Sequence, residues 1–130
     1  MNKKKETKVE KLLTEVELEL MGILWRLGQG TVNDVLAQLP ANRKLAYTSV
    51  STILRILEQK KIVGTEKAGR GHIYLPQLSK ETYEAMSLRH LVKKVFNDAP
   101  TSLVRRLIES ENISDHELKL IRSILDERLG

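Results

Sequence analysis

The sequence predicts a mainly α-helical chain with one small β-hairpin at its centre. Three observations lead to that fold class. Between Thr14 and Gln59 the apolar residues recur at helical spacing. From Ile62 to Pro76 two short β-rich runs flank the glycine-bearing turn Ala68-Gly69-Arg70-Gly71. From Ser79 onward the pattern becomes purely helical again.

Composition bounds the rest. The chain has 130 residues, 41% hydrophobic and 30% charged, as an ordinary globular protein would. It has no cysteine, which excludes disulfides and thiolate metal sites and leaves the redox compartment open. The basic start MNKKKETKVEK is not followed by an apolar signal core. No apolar run approaches the ~20 residues needed to cross a bilayer. A soluble, cytoplasmic protein is therefore expected, with residues 1–13 as a flexible terminus.

Thr14-Glu15-Val16-Glu17 has capping-box spacing and opens the first helix. Its apolar face reads Leu18, Met21, Leu24 and Trp25, with Leu20 and Leu27 beside it, and Gly28 ends it. Trp25, the single tryptophan, reads as core. Thr31 caps a second, short helix, VNDVLAQL, which Pro40 stops. A third helix over 46–60 places Val50, Ile53, Leu54 and Leu57 on one face. Its other face carries Thr48, Ser51, Thr52, Arg55 and Gln59, at about 100° per residue. The hairpin then follows, with Lys67 and Arg70 near its tip. Two short helices, a turn, a third helix with a polar outer face and a hairpin describe a winged helix-turn-helix over residues 14–76.

The charge sits in the same stretch. Residues 43–75 hold seven basic residues against Glu58 and Glu66, a sum of +5 equal to the formal charge of the whole chain. Such a concentration is the electrostatic footprint of a phosphate-binding surface, so double-stranded DNA is the expected partner. Short hydroxyls early on the third helix suit a close approach to base edges, and Arg55 suits a guanine or a phosphate. Arg43 and Lys44 would grip phosphate ahead of the helix. Lys67, Arg70 and His72 would hold the backbone from the wing. Each has a local alternative: Thr48 as a cap, Thr52 bonded back to its own helix, Arg55 paired with Glu58 or Gln59.

Residues 77–130 read as three short amphipathic helices. Ser79–Phe96 carries Met86, Leu88, Leu91, Val92, Val95 and Phe96 on a stripe. The next helix begins at Pro100, capped by Asp98 or Ala99, with Leu103, Val104, Leu107 and Ile108 on one face. Ser114 to Glu117 is a second capping box, opening a helix with Leu118, Ile121, Ile124, Leu125 and Leu129. So many apolar faces in so short a segment need a second copy, or the winged helix, to cover them. A homodimer is the expectation.

With these elements placed, the chain resembles the penicillinase-repressor family of bacterial transcriptional regulators, the group named after BlaI, MecI and CopY. The resemblance rests on LTEVELELMGILWRLGQGTVNDVLAQL, AYTSVSTILRILEQKKIV, the wing ending in YLP, and VFNDAPTSLVRRLIES with ISDHELKLIRSIL. It implies a homodimeric repressor on an inverted-repeat operator, controlling antibiotic-resistance or stress genes. It adds Ser49, which aligns with a threonine common in the family, to the DNA-facing residues. It also marks the tail helices as the dimerisation segment. The copper branch's cysteine cluster is absent here. The Asn-Phe bond cut in the β-lactam branch aligns with Arg106 and Leu107, so the inducer and any inactivating protease stay open.

Two other functional classes fit the sequence less well. A winged helix serving only as a protein-interaction module would suit a mixed-charge or apolar outer face better. An enzyme would need partners for His72, His90 or His116, and no nucleophile or paired carboxylate lies beside them at a useful spacing. No cofactor or metal is expected.

Overall fold

The computed structural model describes residues 12–130. Of the expected flexible terminus over residues 1–13, residues 1–11 lie outside the described residues. Six helices and one hairpin follow in order. They are α1 Glu15–Leu27, α2 Val32–Ala37, α3 Tyr47–Gln59, β1 Val63–Ala68, β2 Gly71–Pro76, α4 Lys80–Lys94, α5 Pro100–Ile108 and α6 Asp115–Leu129. The chain divides into two compact units, the second running from Met86 to Gly130. The division falls inside α4.

In the first unit, local hydrogen bonds set where the helices begin. Thr14 Oγ1 accepts from the Glu17 N–H at 3.1 Å, and the Glu17 carboxylate accepts from the Thr14 N–H at 2.9 Å. Thr31 and Asp34 repeat the same reciprocal pair, where the sequence suggested only a threonine cap. Gly28 ends α1 at φ 90°, a backbone angle that glycine adopts without strain, and its N–H donates to the Leu24 carbonyl. α2 stops at Ala37, two residues before the expected Leu39. The Gln38 and Leu39 N–H groups reach back only three residues, to Val35 and Leu36, so the last turn is too tight to be α-helix.

The core gathers around α1 and α3. Leu20, Met21, Leu24, Val50, Leu54 and Leu57 are fully buried. The inner stripe of α1 is rotated from the expected one. It runs through Glu17, Leu20, Met21 and Leu24, while Leu18 is 40% exposed. Sequence periodicity cannot place a glutamate inside unless its charge is met, and here Lys60 Nζ from the end of α3 meets it at 2.7 Å. Trp25 is half-buried at the side of the stripe. Its indole N–H donates to the Leu78 carbonyl at 2.8 Å, and its ring packs on Tyr83 at 5.9 Å between centroids. The Tyr83 hydroxyl in turn accepts from the Leu13 N–H.

β1 and β2 pair antiparallel from Val63 opposite Pro76 to Ala68 opposite Gly71. Gly69 and Arg70 form the two-residue loop. With φ 60° at Gly69 and no positive φ at Arg70, it is a type II′ turn, which demands glycine first. A free hairpin would be marginal, but this one is pinned. Gly30, between α1 and α2, exchanges both backbone bonds with Tyr74, at 3.0 and 2.8 Å. The Ile62 carbonyl accepts from Gln77 and Leu78 at the hairpin's base.

In the second unit, Ala99 is the α5 cap left open by the sequence, and it caps without a side-chain bond. Asn97 and Asp98 turn the chain at positive φ, and the Asp98 N–H donates to the Val92 carbonyl. Ser114 Oγ accepts from the Glu117 N–H, so only the forward half of the expected box forms. No side chain from Met86 to Gly130 is buried, although the segment carries its apolar stripes in helical register. Among the described residues no helix is long and apolar enough to cross a membrane.

Candidate nucleic-acid interface

α3 buries Val50, Leu54 and Leu57 and turns its other side outward. Thr48, Ser49, Thr52, Arg55 and Gln59 are exposed, and Ser51 is half-buried at the edge of a groove. The local alternatives for these residues are not realised. Ala46 is the cap, with no side-chain bond, so Thr48 does not cap the helix. Among the described residues the Thr52 hydroxyl forms no bond to its own helix, and Arg55 forms neither a hydrogen bond nor an ion pair. The first turn of α3 carries no acid. A hydroxyl-rich surface with an unpaired guanidinium is therefore presented to solvent.

The wing adds charge beside it. Lys67 stands opposite His72 in the ladder, and Arg70 sits in the loop at the tip. Arg70 and His72 line a groove whose other wall is Ser51, Arg55 and Glu58 of α3. The start of α2 closes it with Thr31 and Asn33, and Tyr47 stands at the first position of α3. The sequence reading missed Thr31, Asn33, Tyr47 and Glu58 as wall residues. A helix-turn-helix brings the start of its second helix beside the start of its third, and that geometry is the signal that could have found them. At the floor lies Tyr74, 7% exposed. Burial raises its phenol's pKa above the usual 10.0 and the nearby Glu58 charge adds to the rise, opposed by Arg55.

The basic run is not uniformly directed outward. Arg43 Nε donates to both carboxylate oxygens of Glu19 at 3.1 Å. Lys60 is held by Glu17. Two of the seven cations in the run are thus engaged by α1, whereas Lys44 is exposed and unpaired among the described residues. Glu17 responds to its setting. Burial pushes its carboxyl up, but Lys60 and the Thr14 hydrogen bonds outweigh burial and hold it below the ordinary 4.5.

Three helices, a pinned wing and a polar outer face of α3 whose first turn carries no acid define a winged helix-turn-helix of the DNA-binding kind. The family model described as penicillinase repressor matches residues 13–127, and the chain belongs to that family. Its members are DNA-binding transcriptional repressors and not enzymes, which disfavours the protein-interaction reading. The chain is similar to the transcriptional regulator BlaI of Mycobacterium tuberculosis, 32% identical over 76% of this chain and 85% of that protein. It is also similar to the penicillinase repressor of Bacillus licheniformis, 24% identical over 88% of this chain and 90% of that one. Among solved structures, Bacillus licheniformis BlaI in its monomeric form with the blaP half-operator is 25% identical, with TM-score 0.48. That match covers 56% of this chain and 89% of the other.

Proposed function

We propose that this DNA-binding repressor acts as a homodimer on an inverted-repeat operator, with α3 of each copy in the major groove. The observation that carries the reading is the outer face of α3, four short hydroxyls followed by an unpaired arginine. Thr48, Ser49, Ser51 and Thr52 approach base edges and backbone, and Arg55 takes a guanine or a phosphate. Lys44 grips phosphate before the helix, and Arg43 joins it when its surface pair with Glu19 yields. Such an exposed pair holds with only about 0–1 kcal/mol. Lys67, Arg70 and His72 grip the flanking backbone.

Dimerisation falls to the second unit. Leu88, Leu91, Val95, Leu107 and Leu125 are large apolar side chains left more than 40% exposed there. Val92, Phe96, Leu103, Leu118 and Ile121 are only half-covered. Exposed apolar surface of this extent marks an interface, and a two-fold pair spaces the reading helices about one DNA turn or a multiple apart. The relatives' names point to resistance genes as targets.

Arg55→Ala tests the reading face. It is expected to weaken operator binding by about 1–3 kcal/mol and to relax specificity at one base pair. Unchanged affinity removes Arg55 from the contacts.

A further inference from the structure

Among the residues lining the groove between α3 and the wing there is one acid, Glu58. It is also the one acid on α3. Its surroundings in the groove are otherwise suited to an anion: Ser51 and Arg55 on the same helix, Arg70 and His72 on the wing. Arg55 lies three residues earlier on the same helix, near enough to pair, yet no ion pair forms. Instead Glu58 Oε2 accepts a hydrogen bond from Thr65 Oγ1 of β1 at 3.0 Å. Among the described residues this is the side-chain hydrogen bond that joins α3 to the hairpin. The carboxylate is therefore held by a neutral donor and enters no ion pair among the described residues, on the wall of a groove bordered by the proposed phosphate contacts.

A fixed anion in that place acts unequally on two kinds of complex. Non-specific binding is supplied almost wholly by phosphate electrostatics, and a loosely docked duplex settles where the cations are densest. Glu58 opposes phosphates that settle in the groove, so it subtracts from that binding directly. On the operator, base contacts fix the backbone in one register and supply affinity that a neighbouring carboxylate does not touch.

We propose that Glu58 is a specificity-determining residue that lowers non-specific DNA affinity, and that Thr65 is the positioning residue that keeps its carboxylate away from Arg55. The proposal rests on the repressor reading above.

The test uses the full chain with two duplexes, one enriched from a random pool by the wild-type protein and one scrambled. Glu58→Gln preserves an acceptor for Thr65 and removes the charge. Its expected effect is a gain of about 5-fold in affinity for the scrambled duplex at low salt, as for one like charge removed near a phosphate. Affinity for the enriched duplex should change by less than about 2-fold, so the ratio between the two falls. Thr65→Val retains the charge but frees the carboxylate to pair with Arg55, and a smaller fall in the ratio is expected. A merely structural residue would lose affinity on both duplexes and could not produce a gain.

Unchanged scrambled-duplex affinity in Glu58→Gln overturns the proposal. So does a loss confined to one C·G pair of the enriched duplex, which would make Glu58 a base reader. If the wild-type protein enriches no sequence, the repressor reading itself fails, a result visible before any variant is made.

Discussion

Glu17 sits inside the first unit at 6% exposure, held by Lys60 Nζ at 2.7 Å and by the Thr14 N–H at 2.9 Å. One carboxylate thus starts α1 and fastens the end of α3, the helix proposed for the major groove. Its pKa lies below the ordinary 4.5 in the folded chain, so the folded state favours the charged form. The resulting stability is present above pH 4.5 and is lost as pH falls through the lower folded value. Glu17→Gln should therefore cost about 1–3 kcal/mol in denaturant unfolding at neutral pH. That cost should shrink as the pH is lowered below 4.5, and a cost independent of pH would remove the ion pair from the account. The charge of the basic run was legible residue by residue. Which cations turn inward was not, because Glu17 and Glu19 lie 43 and 24 positions from their partners.

Helix starts were legible because they are set within four residues: Thr14 and Thr31 bond to backbone three positions on. Helix ends and faces depend on the fold. The end of α2 tightens over Gln38 and Leu39, and the stripe of α1 turns toward Glu17 because Lys60 arrives from elsewhere. The wing's strands and turn followed from glycine and β-branched spacing. Its tether to Gly30 did not, since a two-bond bridge between distant backbones leaves no local pattern. Thr31→Ala should cost about 0.5–2 kcal/mol through the lost cap of α2. Because Thr31 also lines the groove, the same variant reports on the site. Thermal unfolding measures the cap, and operator affinity corrected for folding measures the contact.

At the scale of the molecule, the two units differ in kind. The first closes a core, whereas the second leaves every side chain from Met86 onward at least partly exposed. Apolar periodicity made the helices of the second half and their apolar stripes legible. The point of division was harder to read: Pro76 looked like the boundary, yet Leu78 and Tyr83 are buried in the first unit. A fragment ending at Ala85 should thus fold, sediment as a monomer and lose most operator affinity, whereas one ending at Leu78 should be less stable for lack of Tyr83. Full-strength binding by the monomeric fragment would contradict the division of labour. Action as a dimeric repressor is tested most directly by binding of the full chain to an enriched inverted repeat and to a scrambled duplex, titrated across salt. Selective binding whose affinity falls steeply with salt is expected, with a log–log slope that counts the phosphate contacts of two wings and two reading helices. Equal, weak affinity for both duplexes would contradict it, leaving a basic patch and no repressor.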